Sequence, residues 1–67
     1  MNIQIALNNI RESGLTDKAI GSIVHIPQPT VSRLRRGLHK KTSYDRTLAI
    51  FNLAKSINPE LFGNQDD

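Results

Sequence analysis

Apolar residues along the chain fall into clusters with helical spacing, separated by prolines, glycines and short polar side chains. Ile3, Ala6, Leu7 and Ile10 recur at i, i+3, i+4 and i+7 within residues 2–13, and Gly14 stands where a helix stops. Ile5 points off that stripe and is expected at the surface. Thr16 offers a side-chain oxygen to cap a second helix, with Asp17 favoured in its first turn by the helix dipole. Ala19, Ile20, Ile23 and Val24 make a narrow inward face on that helix, which must end before Pro27.

In Ile26-Pro27-Gln28-Pro29 each proline disfavours the α conformation in the residue before it. A third helix is therefore predicted to start at Pro29, with Gln28 in the capping position, and to stop at Gly37. At about 100° per residue Val31, Leu34 and Leu38 share its back, while Pro29, Ser32, Arg33 and Arg36 share its front. Ser43 can cap a fourth helix running to Ile57. Tyr44, Leu48 and Phe51 form one apolar stripe on it and Ile50, Leu53 and Ile57 a second, an arc broad enough for the central helix of a small core or for a surface left to a partner. Asn58-Pro59-Glu60 reads as cap, first helical residue and first-turn acid of a short fifth helix carrying Leu61 and Phe62. No segment alternates with period two. The expectation is an all-α, compact five-helix domain over residues 1–62, followed by a short flexible tail, 63–67.

Composition narrows the classes. At 67 residues there is room for one domain, and without cysteine neither a disulfide nor a thiolate metal site can hold it together. His25 and His39 have no carboxylate cluster between them, Ser32 has no histidine near it in sequence, and no carboxylate pair shares a face. Neither a metal, a cofactor, a small-molecule ligand nor a catalytic constellation is expected, so an enzyme is disfavoured. No apolar run is long enough for a bilayer and no charged leader precedes one, which points away from a membrane and, with the lack of cysteine, to a cytoplasmic protein.

The distribution of charge is more telling than composition. The formal net charge is +3, but it is unevenly placed. Arg33, Arg35, Arg36, Lys40, Lys41 and Arg46 stand against Asp45 alone, a net +5 for residues 33–46, whereas the rest sets Arg11, Lys18 and Lys55 against five acids, a net −2. One basic stretch on a mildly acidic domain is the footprint of a polyanion binder. A solvated charge run produces the same composition, so the footprint needs a motif beside it.

The second and third predicted helices, joined by about four residues, have helix-turn-helix spacing. Residues 15–37 resemble the lambda-repressor-like (Cro/repressor) helix-turn-helix family. The matching elements are Leu15-Thr16, apolar Ile20 and Val24, the turn residue Ile26, Gln28, the run Thr30-Val31-Ser32-Arg33, and Arg36-Gly37. Asn58-Pro59-Glu60-Leu61-Phe62 is similar to the family's fifth-helix opening, so the resemblance spans residues 3–62 and is closest to compact phage Cro-type regulators. Three positions depart from the family pattern. Gly21 replaces a small alanine, His25 replaces a turn glycine at a position that often needs positive φ, and Pro27 and Pro29 flank Gln28.

The resemblance implies a DNA-binding transcriptional regulator, most simply a repressor, acting as a homodimer on a palindromic operator in double-stranded DNA. A recognition helix presents its N-terminal residues to base edges in the major groove. Arg33 can donate two hydrogen bonds to guanine and Gln28 can pair with adenine, while Ser32 can give or take one bond and the Pro29 ring can touch a thymine methyl. Thr16, Arg36, Lys40, Lys41, Thr42 and Ser43 are candidates for phosphate contacts, which position without specifying. Arg35 lies beside Val31 on the wheel and is expected to pack its stem or pair with Asp45. Ile50, Leu53, Ile57, Leu61 and Phe62 are the candidate dimer interface. The alternative function is an antitoxin-type protein that binds a toxin partner as well as DNA.

Overall fold

The computed structural model describes residues 2–39 and 42–61, the last by its backbone. Lys40, Lys41, Phe62 and the tail predicted for residues 63–67 lie outside the described residues, as does the side chain of Leu61. Four α-helices follow one another, α1 (Ile3–Glu12), α2 (Asp17–Val24), α3 (Gln28–Arg35) and α4 (Tyr44–Ile57), then a single 3-10 turn at Pro59–Leu61. No strand occurs among the described residues. α1 packs across both α3 and α4, and α2 packs on α3 with a smaller contact to α4.

Local chemistry explains most of the boundaries. Asn2 Oδ1 accepts from the Ile5 N–H at 2.9 Å to open α1, and the chain leaves that helix through Gly14 at φ +113°. Thr16 Oγ1 accepts from the Ala19 N–H at 3.1 Å to open α2. Ser43 Oγ does the same for Arg46 at 3.2 Å to open α4. These hydroxyl and amide groups satisfy N–H groups that a helix start leaves without partners. α3 has no such cap. It begins one residue earlier than expected, at Gln28, because the Pro27 carbonyl accepts from both the Thr30 and Val31 N–H groups at 3.0 Å and closes the first turn itself. The pre-proline preference of Gln28 yields there, and Pro29 sits in the first turn, where its missing N–H costs nothing.

α3 also ends earlier than expected, at Arg35, although Gly37 supplies the stop. Gly37 at φ +78° lets its own N–H reach the Leu34 carbonyl at 3.2 Å and the Leu38 N–H reach the Arg33 carbonyl at 2.9 Å. That reversal swings Leu38 off the back of the helix, so it is 65% exposed instead of packed beside Val31 and Leu34. The expected fifth α-helix does not form over the described residues. Among the described residues only the 3-10 turn follows α4, and Asn58 closes α4 by donating to the Ala54 carbonyl at 2.8 Å rather than capping a new α-helix.

The core is aliphatic: Ala6, Leu7 and Ile10 of α1, Ile20 and Val24 of α2, Ile26 of the turn, Val31 and Leu34 of α3, and Ile50 and Ala54 of α4. No polar side chain is buried among the described residues. Ile5 is exposed, as its place off the stripe implies. Ile50, a candidate for the dimer interface, is instead fully enclosed, because α4 packs its Ile50–Ala54 line into the core cluster. Leu53 and Ile57 are half-buried on one flank of that line and Phe51 on the other, while Tyr44 and Leu48 turn outward at 75% and 40% exposure. The stripe expected of Tyr44, Leu48 and Phe51 is therefore a rim and not part of the interior.

Ile23, expected inward, is half exposed. The reason lies one turn away. Gly21 is buried, and a Cβ built on it would clash with the carbonyl oxygen of Ile26 and lie 3.5 Å from the Gln28 nitrogen. The turn thus presses on the Gly21 side of α2, and Ile20, Gly21 and Val24 make the inward face in place of the Ala19–Ile23 side. The chain reverses at His25, whose φ of 59° and ψ of 45° are left-handed, and the Ile26 N–H returns to the Gly21 carbonyl at 3.0 Å.

Two substitutions should therefore move stability in opposite directions. Gly21→Ala should cost about 1–3 kcal/mol, since its methyl meets backbone that cannot rotate away. His25→Gly should be neutral to stabilising by about 1 kcal/mol, the left-handed strain removed being partly offset by a more flexible unfolded chain. Thermal unfolding followed by circular dichroism reads both; 1 kcal/mol corresponds to roughly 4–8 °C in a domain of this size.

Candidate nucleic-acid interface

α2 and α3 are joined by three residues, His25, Ile26 and Pro27, and each has a separate task. His25 reverses the backbone, Ile26 drops its side chain into the core, and Pro27 supplies the carbonyl that starts α3. The two helices are thereby packed together over Gly21, and the orientation of α3 is fixed by backbone contacts at its start.

Its other end is fixed by charge. Arg35, the last residue of α3, donates from Nε to Asp17 Oδ1 and from Nη2 to Asp17 Oδ2, both at 2.9 Å. This planar two-point pairing joins the first turn of α2 to the last turn of α3. Arg11 of α1 brings its Nε to 3.5 Å from the same Oδ1 and donates from Nη1 to the Leu15 carbonyl at 3.2 Å. Hydrogen bonding to the Asp17 carboxylate raises the Arg35 pKa above its ordinary value, partial desolvation opposes it, and Coulombic attraction adds to it, so the guanidinium stays charged. Arg35 pairs with Asp17, not with Asp45 as sequence spacing suggested; helix packing brings the start of α2 to the end of α3, whereas Asp45 is exposed on α4.

The face of α3 turned from the core carries Gln28, Pro29 and Arg33, followed by Arg36 in the capping position, all exposed, with Ser32 half-buried beside them. Neither Arg33 nor Arg36 has an acidic partner among the described residues. The three arginines at the end of α3 and its cap are thus sorted: Arg35 is committed to Asp17, while Arg33 and the capping residue Arg36 are exposed. Eight residues make a rod about 12 Å long, close to the width of the major groove of B-DNA.

Comparison with protein-family models, curated proteins and solved structures yields no match for this chain. The site must speak through its own chemistry.

The hydroxyls divide similarly. Thr16 and Ser43 are exposed, and each oxygen is used as an acceptor by its helix while the O–H proton remains available to donate. A hydroxyl in that state can cap a helix and hold an anion simultaneously. Thr42 cannot: its Oγ1 is shut off from solvent without a hydrogen-bond partner among the described residues, so as a hydroxyl contact to phosphate it is withdrawn. No group of three or more metal-ligating side chains converges among the described residues. No helix among them is long and apolar enough to cross a membrane. Sequence reasoning missed the Arg11–Asp17–Arg35 cluster, and spacing gave no means of finding it, because its members come from three helices.

Thr16→Ala and Ser43→Ala should each lower stability by about 1 kcal/mol through loss of the cap. Replacement by Asp at either position should restore stability as a cap while placing a negative charge at the helix start, an outcome measured by urea unfolding.

Proposed function

We propose that the protein is a sequence-specific double-stranded DNA-binding regulator, in which α2 and α3 act as a helix-turn-helix and α3 enters the major groove. The observation that carries this reading is the outward face of α3. Gln28, Pro29, Arg33 and Arg36 are all exposed, and the two arginines have no acidic partner among the described residues while the neighbouring Arg35 is held by Asp17. A helix that neutralises its inward cation and leaves its outward ones bare is suited to a polyanion. Arg33, mid-front, has the forked donors that read guanine, and Gln28, at the helix start, has the paired donor and acceptor that read adenine. Pro29 offers an apolar edge for a thymine methyl, and Ser32 a single hydrogen bond at the margin. On this reading Thr16, Ser43 and Arg36 contact the phosphates flanking the groove, and Lys40 and Lys41, which follow α3 in sequence, add to those contacts.

The protein acts on this reading as a homodimer, with operator half-sites about 34 Å apart and two-fold related. The half-buried Leu53–Ile57 flank of α4 supplies the apolar surface for pairing. The simplest regulatory outcome is repression in the cytoplasm, by occupying a promoter. The reading needs no cofactor and assigns no chemistry.

Selection of bound sites from random duplex DNA tests the reading and yields the operator together. Binding should weaken steeply with salt, by a log–log slope several units negative if about four to six phosphates are contacted per subunit. Arg33→Ala should cost about 1–3 kcal/mol and relax preference at one base pair, whereas Lys40→Ala should weaken all sequences alike and shallow the slope by roughly one unit. Affinity that stays flat from low to moderate salt would remove DNA as the partner. An equal loss on specific and random DNA by folded Arg33→Ala would move base reading to Gln28 and Ser32.

A further inference from the structure

Asp17 is out of place for a surface that meets phosphate. It opens α2, one residue after Thr16, where the free N–H groups and the Thr16 hydroxyl make a favourable end for an anion. An unshielded carboxylate there would repel the DNA backbone. It is shielded: its side chain is only 13% exposed, with Arg35 on both oxygens and Arg11 beside one of them. One carboxylate between two guanidiniums leaves the trio with a single positive charge. Arg35 is held at its backbone as well, because Asn8 Nδ2 donates to its carbonyl at 3.4 Å. α1, α2 and α3 meet in this cluster, at the end of α3 opposite the backbone contact at Gly21.

We propose that Asp17 is a positioning residue for DNA recognition: it keeps Arg35 and Arg11 from contacting phosphate and holds the far end of α3 in the pose that Arg33 and Gln28 need to read bases. The inference rests on the DNA-binding reading. It adds that specificity is protected by withholding cations. Every arginine that can swing onto phosphate tightens all sequences alike and dilutes the contribution of the base contacts. With Arg35 pinned, α3 and its C-terminal cap expose two arginines that have no acidic partner among the described residues, Arg33 and Arg36, instead of three.

The test compares two substitutions that break the same pair with opposite electrostatic results. Asp17→Asn releases Arg35 and Arg11 and removes the acid. Arg35→Gln removes the cation and leaves Asp17 less shielded. Each full-length variant is measured on a duplex recovered by selection and on a random-sequence duplex of equal length, across a salt series, after circular dichroism has established its folded fraction. For Asp17→Asn, random-sequence affinity should rise several-fold, the salt slope should steepen by about one unit, and the ratio of specific to random affinity should fall at least about fivefold. For Arg35→Gln the ratio should fall likewise, but random-sequence affinity should drop and the slope should not steepen. Asp17→Glu, which can rebuild the pair, should recover most of the ratio. A purely structural role for Asp17 predicts losses that follow the folded fraction and are equal on both duplexes.

If Asp17→Asn does not fold, Arg35→Gln decides alone. A folded variant of either kind that keeps the wild-type ratio overturns the proposal, as does weaker random-sequence binding by folded Asp17→Asn. Wild-type protein that binds neither duplex removes the DNA reading, and this inference with it; wild-type discrimination that survives both substitutions removes this inference only.

Discussion

At residue 21 there is no room for a side chain, and the arrangement of α2 and α3 depends on that. The Ile26 carbonyl oxygen lies too close for a Cβ to stand there, so the connecting chain lies directly against the α2 backbone. This closeness leaves three residues to reverse direction between the helices, which forces His25 into the left-handed region. It also points Ile26 inward, where it joins Ile20, Val24 and Val31. A larger residue at position 21 would push the turn outward and take Ile26 with it, so one missing methyl couples chain direction, core packing and the presentation of α3.

Packing sets the near end of α3 and charge sets the far end. The aliphatic core contains no buried polar group among the described residues, so nothing inside it fixes orientation by hydrogen bonding. Directional contacts between helices are instead gathered at the rim, in the pairing of Arg35 with Asp17, the approach of Arg11, and the Asn8 contact to the Arg35 carbonyl. Apolar packing tolerates small rotations, whereas a two-point guanidinium–carboxylate pair does not. The combination gives a small domain a cohesive interior and a defined outer helix.

The helical character of every α segment was legible from apolar spacing, and three of the caps from single residues, Thr16, Ser43 and the stop at Gly37. The left-handed backbone at His25 was legible too, through the turn glycine it replaces in the resembled family. What misled was rotation about helix axes. Ile23 and Ile20 look equivalent on a wheel, and only the turn pressing on Gly21 decides that Ile20 goes in and Ile23 stays out. On α4 two apolar stripes competed, and packing into the core cluster chose the Ile50–Ala54 line, which removed Ile50 from any interface and left Tyr44 at the surface. Among the candidate site residues, the outward set on α3 follows from periodicity alone. The enclosed hydroxyl of Thr42 and the partner of Arg35 depend on contacts between elements, which no local pattern encodes.

The exposed position of Tyr44 determines how this protein can be observed. The chain has no tryptophan and a single tyrosine. That tyrosine is three-quarters in solvent already, so its emission and absorbance barely distinguish the folded chain from the unfolded one. Among the described residues the fully buried interior has no aromatic ring to report on its own packing. Loss of tertiary order is therefore optically silent apart from the helix signal in the far ultraviolet. The same silence makes a useful blank: a tryptophan introduced at Tyr44 would report on whatever approaches the start of α4, against almost no background.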